Sequence, residues 1–212
     1  MCKKNDFLSK IYVVRHGETD WNVARRLQGR SDIPLNENGK RLAKITSEAL
    51  ADIPFTCIYT SPLQRAKETA MIIKRDRNIP VIEDARLQEI SFGICEGHCC
   101  EKEHYDMPVP DFMNFFTRPE QYQPPQGAES IEELCARTTD FLQELVHTTQ
   151  YGAGDIILLS THGAALRGLL SSVEKTDVAH FWQGGVHKNC AVTILDVTDG
   201  RITLLEENKV FY

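Results

Sequence analysis

Three short apolar runs, each followed at once by polar residues that can open a helix, constrain the fold of this chain most strongly. Such runs are typical of strands that are buried on both faces of a sheet. Because strands and helices alternate along the chain, we predict an α/β fold with a mostly parallel central sheet flanked by helices. The predicted strands are residues 11–14, 57–60 and 155–160, and the clearest helices are residues 36–51, 62–74 and 130–147.

Local signals predict where several of these elements begin and end. Ser61 fits an N-cap with Pro62 at the first helical position, and Ser130 with Glu133 predicts a capping box for residues 130–147. Residues 191–197 and 201–205 are predicted to pair as a hairpin around the three residues 198–200. The predicted buried faces of the first and last helices are Leu42, Ile45 and Ala49, and Ile131, Leu134, Cys135, Thr138, Phe141, Leu142 and Leu145.

Residues 93–127 interrupt the alternation of strands and helices. This segment is rich in proline and aromatic residues and shows no clear period. We therefore predict one domain over residues 1–212, in which residues 93–127 form a lid over the functional site.

The charge balance of the chain argues against polyanionic partners. Its 24 Lys and Arg residues against 30 Asp and Glu residues give a formal charge of −6, which disfavours nucleic acids and anionic membranes. No apolar run approaches the roughly 20 residues of a membrane span, and residues 1–6 are not followed by the apolar stretch of a secretory signal. With seven scattered cysteines, the chain is predicted to be reduced and cytoplasmic.

Unusual polar residues follow the predicted strands. Arg15 and His16 follow the first, Arg65 lies just beyond the second, and His162 follows the third. Ligand sites in open α/β sheets lie at the carboxyl ends of the strands, so these side chains are expected to converge. Arginine matches phosphate oxygens, histidine can act as a nucleophile, and the glycine after each histidine allows a close backbone approach. The sequence therefore predicts a phosphate site.

Five blocks of sequence, in order along the chain, carry a more specific pattern. They are residues 15–22 (RHGETDWN), residues 28–39, residues 61–70 (SPLQRAKETA), residues 87–97 and residues 161–163 (THG). On these blocks the chain resembles the histidine phosphatase superfamily, in its phosphoglycerate mutase-like branch. The resemblance implies a three-layer sandwich and spans residues 11 to about 170.

The resemblance also implies a role for each matching residue. His16 would attack phosphorus and become a phosphohistidine, while Glu89 would protonate the leaving alkoxide and then activate water. Glu18 and Glu96 are less favoured candidates for that acid. The phosphoryl group would be held by Arg15, Arg65 and His162, and the further phosphate- and substrate-binding positions are Asn22, Gln28, Gly29 and Gly163. Neither a metal nor a cofactor is expected, because the cationic side chains supply the positive charge.

The resemblance leaves three functions open. A phosphatase passes the phosphoryl group to water, a mutase passes it to a sugar-acid hydroxyl, and a binding module carries out neither reaction. The segment after Glu89 and the few residues beyond the last strand favour the phosphatase. The expected partner is a small phosphomonoester, such as a sugar phosphate or a ribazole- or nucleotide-like monophosphate, and a homodimer is left open.

Specificity is expected to come from the predicted lid. The lid contains several aromatic residues, of which at least half are expected to form a local core. It contains few basic residues, and this deficit of bases favours a substrate with one phosphate and an uncharged or apolar remainder. The aromatic residues are Tyr105, Phe112, Phe115, Phe116 and Tyr122, and the bases are Lys102 and Arg118.

A group of cysteines and histidines in the same segment superficially resembles a zinc site. The adjacent pair at residues 99–100 lacks the two-residue gap of a zinc knuckle, and no second pair lies elsewhere in the chain. Free thiols are therefore the favoured interpretation of Cys95, His98, Cys99, Cys100 and His104.

Overall fold

The computed structural model describes residues 8–148 and residues 150–212; the segment examined for a secretory signal, residues 1–6, lies outside them. Within these described residues, six strands and six α-helices follow one another. The strands are β1 (Lys10–Arg15), β2 (Cys57–Thr60), β3 (Val81–Glu83), β4 (Ile156–Thr161), β5 (Val192–Thr198) and β6 (Arg201–Lys209). The helices are α1 (Asp20–Val23), α2 (Glu37–Ala49), α3 (Gln64–Lys74), α4 (Asn114–Thr117), α5 (Ile131–His147) and α6 (Gly163–Glu174).

The strands form one sheet in the order β3-β2-β4-β1-β5-β6. The first four strands in this order are parallel, while β5 is antiparallel to both β1 and β6. The α/β fold with a mostly parallel sheet is therefore confirmed. Because β1 and β4 are central neighbours, their carboxyl ends lie side by side.

Alternation along the strands distributes the core between the two faces of the sheet. Ile11 and Val13 of β1 pack on the face covered by α5 and α6, and Tyr12 and Val14 pack on the opposite face with residues of α3 and with Leu50, which follows α2. Successive side chains of a strand point to opposite faces, so both faces of a central strand must be apolar. The result is the three-layer arrangement that the resemblance implied.

The structure corrects the predicted start of α3. The helix begins at Gln64 with Leu63 at the N-cap position; the Leu63 side chain makes no capping hydrogen bond, and the N–H of Gln64 donates to Oδ1 of Asp32 at 2.6 Å. Ser61 lies outside the helix, where its hydroxyl contacts Nε2 of His162 at 2.7 Å and accepts from the N–H of Leu63 at 3.3 Å. The capping box of α5 is confirmed, with Ser130 and Glu133 as its partners.

Two smaller predictions also change. The buried face of α2 is formed by Leu42, Ala43, Thr46 and Ser47, whereas Ala49 is exposed, because the helix presents the adjacent stripe to the core. The hairpin between β5 and β6 has two turn residues at positions 199 and 200, both with positive φ, since Thr198 pairs with Arg201. Two consecutive residues with positive φ are typical of a type I′ turn.

Residues 93–127 contain short 3₁₀ helices and α4 rather than strands. Phe112, Phe115 and Tyr122 are buried in a cluster with Phe92 and Phe181, so most of the aromatic residues form a local core. Their rings meet mostly edge to face, as in the Phe92–Phe115 pair at 5.1 Å. The predicted role of this segment as a lid stays a prediction. Among the described residues, no helix is long and apolar enough to cross a membrane.

Candidate active site

A pocket of about 130 Å³ lies at the carboxyl ends of the central strands. Its polar lining includes Arg15 and His16 from the end of β1, Arg65 from α3 and Gly163 from the start of α6. Arg15, His16 and Arg65 therefore converge on the pocket, whereas His162 is completely buried beside His16 and does not line it. The full lining is Arg15, His16, Asn22, Arg26, Leu27, Gln28, Arg65, Glu89, Phe92, Phe115, Phe116, Gly163, Ala164, Trp182 and Val186.

His16 is buried and held in one orientation. Its Nδ1 lies 2.7 Å from the carbonyl oxygen of Gly17, which can only accept a hydrogen bond, so Nδ1 carries the proton. Burial, together with Arg65 and Arg15, lowers the pKa of His16 well below its usual value, so the ring is neutral. The lone pair of His16 therefore resides on Nε2, which a phosphorus atom in the pocket can approach.

His162 is the second buried histidine, with its ring centroid 5.1 Å from that of His16. Its Nε2 contacts the Ser61 hydroxyl at 2.7 Å, and its buried Nδ1 has no partner among the described residues. Burial and the nearby Arg65 lower the pKa of His162 well below its usual value. Within the described part of the chain the Ser61 hydroxyl hydrogen has no other acceptor, so Ser61 donates to Nε2 and leaves the proton on Nδ1. A neutral His162 can thus donate to a phosphoryl oxygen.

The two arginines supply the positive charge of the pocket. Arg65 is buried, and its guanidinium donates to Nε2 of His16 at 3.3 Å and to the carbonyl oxygens of Ser31 and Gly29 at 2.8 Å each. Burial lowers its pKa to about 10, which still leaves it charged at neutral pH. Burial also lowers the pKa of Arg15, whose Nη1 donates to the carbonyl of His187 and whose Nε has no partner among the described residues.

Asn22 and Gln28 are the predicted amide donors, and both line the pocket. The Oδ1 of Asn22 accepts from the backbone N–H of Thr19 at 3.1 Å and from Nδ2 of Asn189 at 3.3 Å. With the oxygen held in this way, the amide NH₂ of Asn22 is left to donate to a ligand. Gly29 does not line the pocket: its carbonyl orients Arg65 instead.

Glu89 is fixed at the N-terminus of α6. Its carboxylate accepts from the backbone N–H groups of Ala164 and Ala165, at 3.1 and 3.0 Å, and from that of Ile90 at 3.0 Å. A Cβ added to Gly163 would lie 3.7 Å from Oε2 of Glu89 and 3.7 Å from Nε of Arg15, so only a glycine leaves the space between them open. Glu89 therefore faces the predicted phosphoryl position across a gap lined by backbone.

The two alternative acids have other contacts. The Glu96 carboxylate accepts from the backbone N–H groups of Arg30, Ser31 and Phe92 and from the Ser31 hydroxyl, and it is not part of the pocket lining. Glu18 accepts from the side-chain amides of Asn36 and Asn38, also outside the lining. Of the three carboxylates, Glu89 is the one placed in the pocket.

Comparison with known proteins agrees with this geometry. The family model for the histidine phosphatase superfamily (branch 1) matches residues 11–210. The chain belongs to this superfamily. The match includes both strands that carry the histidines and the whole of the pocket lining, so the resemblance drawn from the five sequence blocks is confirmed.

Relatives of this histidine phosphatase superfamily member include both phosphatases and mutases. It is 30% identical over 201 residues to phosphoserine phosphatase 1 of Hydrogenobacter thermophilus, covering 94% of this chain and 92% of that one. It is 38% identical over 168 residues to a protein of Klebsiella pneumoniae (strain 342) named probable phosphoglycerate mutase GpmB, covering 77% and 74%. The solved structure of Bacillus stearothermophilus YhfR matches with a TM-score of 0.86 and 34% identity over 95% of this chain and 97% of that chain.

The outer wall of the pocket in this superfamily member contains residues that the sequence patterns did not single out. Arg26, Leu27, Trp182 and Val186 line it together with aromatic side chains, and Trp182 donates to the carbonyl of Phe115 at 2.6 Å. None of these four carries a motif of its own, so only their position after folding identifies them. The two bases of the predicted lid, Lys102 and Arg118, are exposed and do not line this pocket.

The cysteine and histidine group at residues 95–104 is spread over separate environments. Cys95 is buried, Nδ1 of His98 lies 3.5 Å from Oδ1 of Asp106, and the Cys100 thiol donates to the carbonyl of Arg25 at 3.3 Å. Among residues 8–148 and 150–212, no three side chains of the metal-ligating types are grouped as a metal site would require. The thiols of Cys95, Cys99 and Cys100 are free.

Proposed function

We propose that this protein hydrolyses small phosphomonoesters through a phosphohistidine formed on His16. The observation that carries the proposal is the neutral imidazole of His16, whose Nε2 lone pair lies beside Arg65 and in the same pocket as Arg15. A buried imidazole that is already deprotonated is a nucleophile without further activation. The arginines and His162 stabilise the charge on the transferring phosphoryl oxygens.

The first step is an in-line displacement at phosphorus. The Nε2–P bond forms as the bond from phosphorus to the leaving oxygen breaks, and the alkoxide takes a proton from Glu89. The backbone N–H groups of Ala164 and Ala165 hold the Glu89 carboxyl group in place for this transfer. Proton transfer to the alkoxide matters because an alkoxide is a poor leaving group.

The second step releases inorganic phosphate. A water molecule attacks phosphorus from the side that the alcohol has vacated, Glu89 accepts the proton of that water, and the Nε2–P bond breaks. The enzyme returns to its starting state with His16 neutral and Glu89 protonated. One carboxyl group thus serves as acid and then as base, without a metal or cofactor in the proposal.

A mutase is the second candidate, because the relative in Klebsiella pneumoniae carries that name. A mutase must hold the acidic group of a sugar acid while the phosphoryl group is exchanged. The outer wall of this pocket is mainly aromatic, with Phe92, Phe115, Phe116 and Trp182, and Arg26 is the cation there among the lining residues. This lining supports a leaving group with little charge, and water as the acceptor.

We further propose that residues 93–127 cover the pocket and select the substrate, since Phe115 and Phe116 belong to both. Sugar phosphates and ribazole- or nucleotide-like monophosphates suit the aromatic wall and form a panel of candidate substrates. Phosphoserine is added to this panel because of the relative in Hydrogenobacter thermophilus. Phosphate release from such a panel identifies the substrate. Conversion of 3-phosphoglycerate to its isomer, without release of phosphate, would instead establish the mutase. A cytoplasmic location is part of the proposal and follows from the composition.

The proposal is tested by trapping the intermediate. Mixing enzyme with p-nitrophenyl phosphate and quenching within milliseconds is expected to leave acid-labile, base-stable phosphate on the wild-type protein. The His16→Ala variant is expected to carry none and to retain less than about a hundredth of the wild-type rate. His180→Ala is the matched control, because His180 is exposed and paired with Asp177.

Two results would contradict the proposal. A His16→Ala variant that keeps its rate would exclude the covalent mechanism. A wild-type protein that binds phosphomonoesters tightly but neither forms a phosphoenzyme nor releases phosphate would be a binding module.

A further inference from the structure

A loop of seven residues, 184–190, contacts the two residues at the end of β1 that line the pocket. We refer to it as the support loop. The carbonyl of His187 accepts from Nη1 of Arg15, Nδ2 of Asn189 donates to the carbonyl of His16 at 3.0 Å, and the N–H of Cys190 donates to the carbonyl of Arg15 at 3.0 Å. The support loop thus contacts both residues at the end of β1 that the proposed reaction uses.

The support loop contains no helix or strand, and two of its residues, Gly184 and Gly185, have φ values of +82° and +76°. Glycine is suited to such values, but it also gives the chain more freedom to adopt other conformations. Contacts with the rest of the protein must therefore hold the support loop in the position that serves Arg15.

Those contacts come from α6 and β6. Arg167 of α6 is completely buried, and its guanidinium donates to Oε1 of Glu207 in β6 at 2.6 Å and to the carbonyl of Phe181 at 3.1 Å. A Cβ added to Gly184 would lie only 2.7 Å from that Glu207 oxygen, and Nε2 of the buried His187 lies 3.3 Å from it. Two residues of the support loop, Gly184 and His187, therefore lie against the Arg167–Glu207 pair.

A neighbouring contact fixes the same loop to the same strand. The N–H of Lys188 donates to Oδ1 of Asn208 at 2.9 Å. Glu207 and Asn208 are consecutive in β6, so this strand holds the support loop at two successive residues. The other carboxylate near Arg167, that of Glu174, is more distant, at 3.3 Å.

We propose that Arg167 and Glu207 are positioning residues, which act through the support loop to hold the Arg15 guanidinium against the substrate phosphate. The inference rests on the proposed function, because it assigns Arg15 to the phosphoryl group. Removing the charge of Glu207 would leave a buried guanidinium short of its main counterion, and Arg167 would draw away from its present position to find water or another partner. The carbonyl of His187 would then no longer hold Arg15.

The experiment measures binding of an oxyanion by the whole protein. Orthovanadate is used as the probe, and its inhibition constant is determined against p-nitrophenyl phosphate together with kcat and KM. We expect Glu207→Gln to weaken vanadate binding about 10- to 100-fold, which corresponds to loss of one charge-assisted contact. Glu206→Gln is the matched control: it makes the same change one residue away, at a partly exposed carboxylate paired with Lys209.

A role in stability alone would give a different result. In that case Glu207→Gln would melt at a lower temperature but would bind vanadate as tightly as Glu206→Gln, and the inference would be wrong. If Glu207→Gln does not fold, the double variant Arg167→Met with Glu207→Leu replaces the pair by apolar side chains and leaves no charge uncompensated. This double variant is also expected to bind vanadate 10- to 100-fold more weakly, and wild-type affinity in it would equally overturn the inference.

Failure of the proposed function would look different again. Wild-type protein that neither binds vanadate nor hydrolyses any phosphomonoester would remove the phosphoryl site, and the positioning role with it. Wild-type protein that does both, with no difference between the Glu207 and Glu206 variants, would refute only the positioning role.

Discussion

At the scale of single residues, the hydrogen-bond partner of each catalytic side chain decides what that side chain can do. In the proposed mechanism, the carbonyl of Gly17 leaves the lone pair of His16 on Nε2, and the hydroxyl of Ser61 leaves His162 to donate through Nδ1. The same residue type would thus take opposite roles in one reaction. Neither role can be assigned from the histidines alone, because it depends on which ring nitrogen carries the proton.

The role of Glu89 is tested by leaving groups of different basicity. With an alkyl phosphate, Glu89→Gln is expected to slow phosphoenzyme formation by a factor of about 10² to 10⁴, because the alkoxide must then leave unprotonated. With p-nitrophenyl phosphate, whose leaving group needs little protonation, the same step should change much less. Rapid-quench measurement of phosphoenzyme isolates this step from the later hydrolysis.

Glu18→Gln is the comparison for that prediction, because the Glu18 carboxylate contacts Asn36 and Asn38 and does not line the pocket. Its phosphoenzyme formation should depend on the leaving group as in the wild type. Equal losses for the two substrates in Glu89→Gln would show that Glu89 is not the acid.

At the scale of elements, the first turn of α6 forms one side of the pocket. Gly163→Ala is expected to lower kcat/KM about 10- to 100-fold, because its methyl group would fill the gap between Arg15 and Glu89 and shift the bound phosphate. Its contacts would be ordinary van der Waals distances of 3.5 Å or more, so the fold should be retained.

Gly152→Ala serves as the control for Gly163→Ala, since an added Cβ there meets no atom within 4 Å. Steady-state kinetics and melting temperature are measured for both variants. Equal kcat/KM values in the two would mean that substrate does not occupy the space in front of Gly163.

These elements also show which features of the fold could be predicted from the sequence and which could not. The strand ends, the capping box of α5 and the five sequence blocks could be predicted, because each depends on residues close together in the chain. The N-cap assigned to Ser61 was wrong because the helix begins at Gln64, whose N–H donates to Asp32, a residue 32 positions earlier in the chain. The support loop was not predicted at all: it has no periodicity, and its partners Arg15, Arg167 and Glu207 are distant in sequence.

At the scale of the whole molecule, buried neutral histidines make stability depend on pH. Burial, with Arg167 and Arg15 nearby, lowers the pKa of His187 to about 3, whereas an unfolded histidine titrates near 6.5. Below about pH 6.5 the unfolded chain therefore binds a proton that the native protein does not bind. The free energy of unfolding should fall by up to about 1.4 kcal/mol per pH unit for this residue, down to about pH 3.

Urea unfolding at several values between pH 6 and pH 4 checks this prediction. His187→Gln cannot titrate, so its free energy of unfolding should decrease less steeply over this range than that of the wild type. His180→Gln changes an exposed histidine and should keep the wild-type slope. Parallel slopes for all three proteins would show that His187 does not stay neutral in the folded state.

The order of strands in the sheet affects when the contacts of the pocket can form during folding. During synthesis His16, the proposed nucleophile, is made directly after β1, but β1 pairs with β4, which begins 146 residues later, and with β5. Contacts between residues so distant in the chain are slow to form. A growing chain thus carries its arginine and histidine long before β4, the support loop and β6 exist to orient them. The phosphoryl transfer proposed for this site therefore requires that nearly the whole described chain has folded.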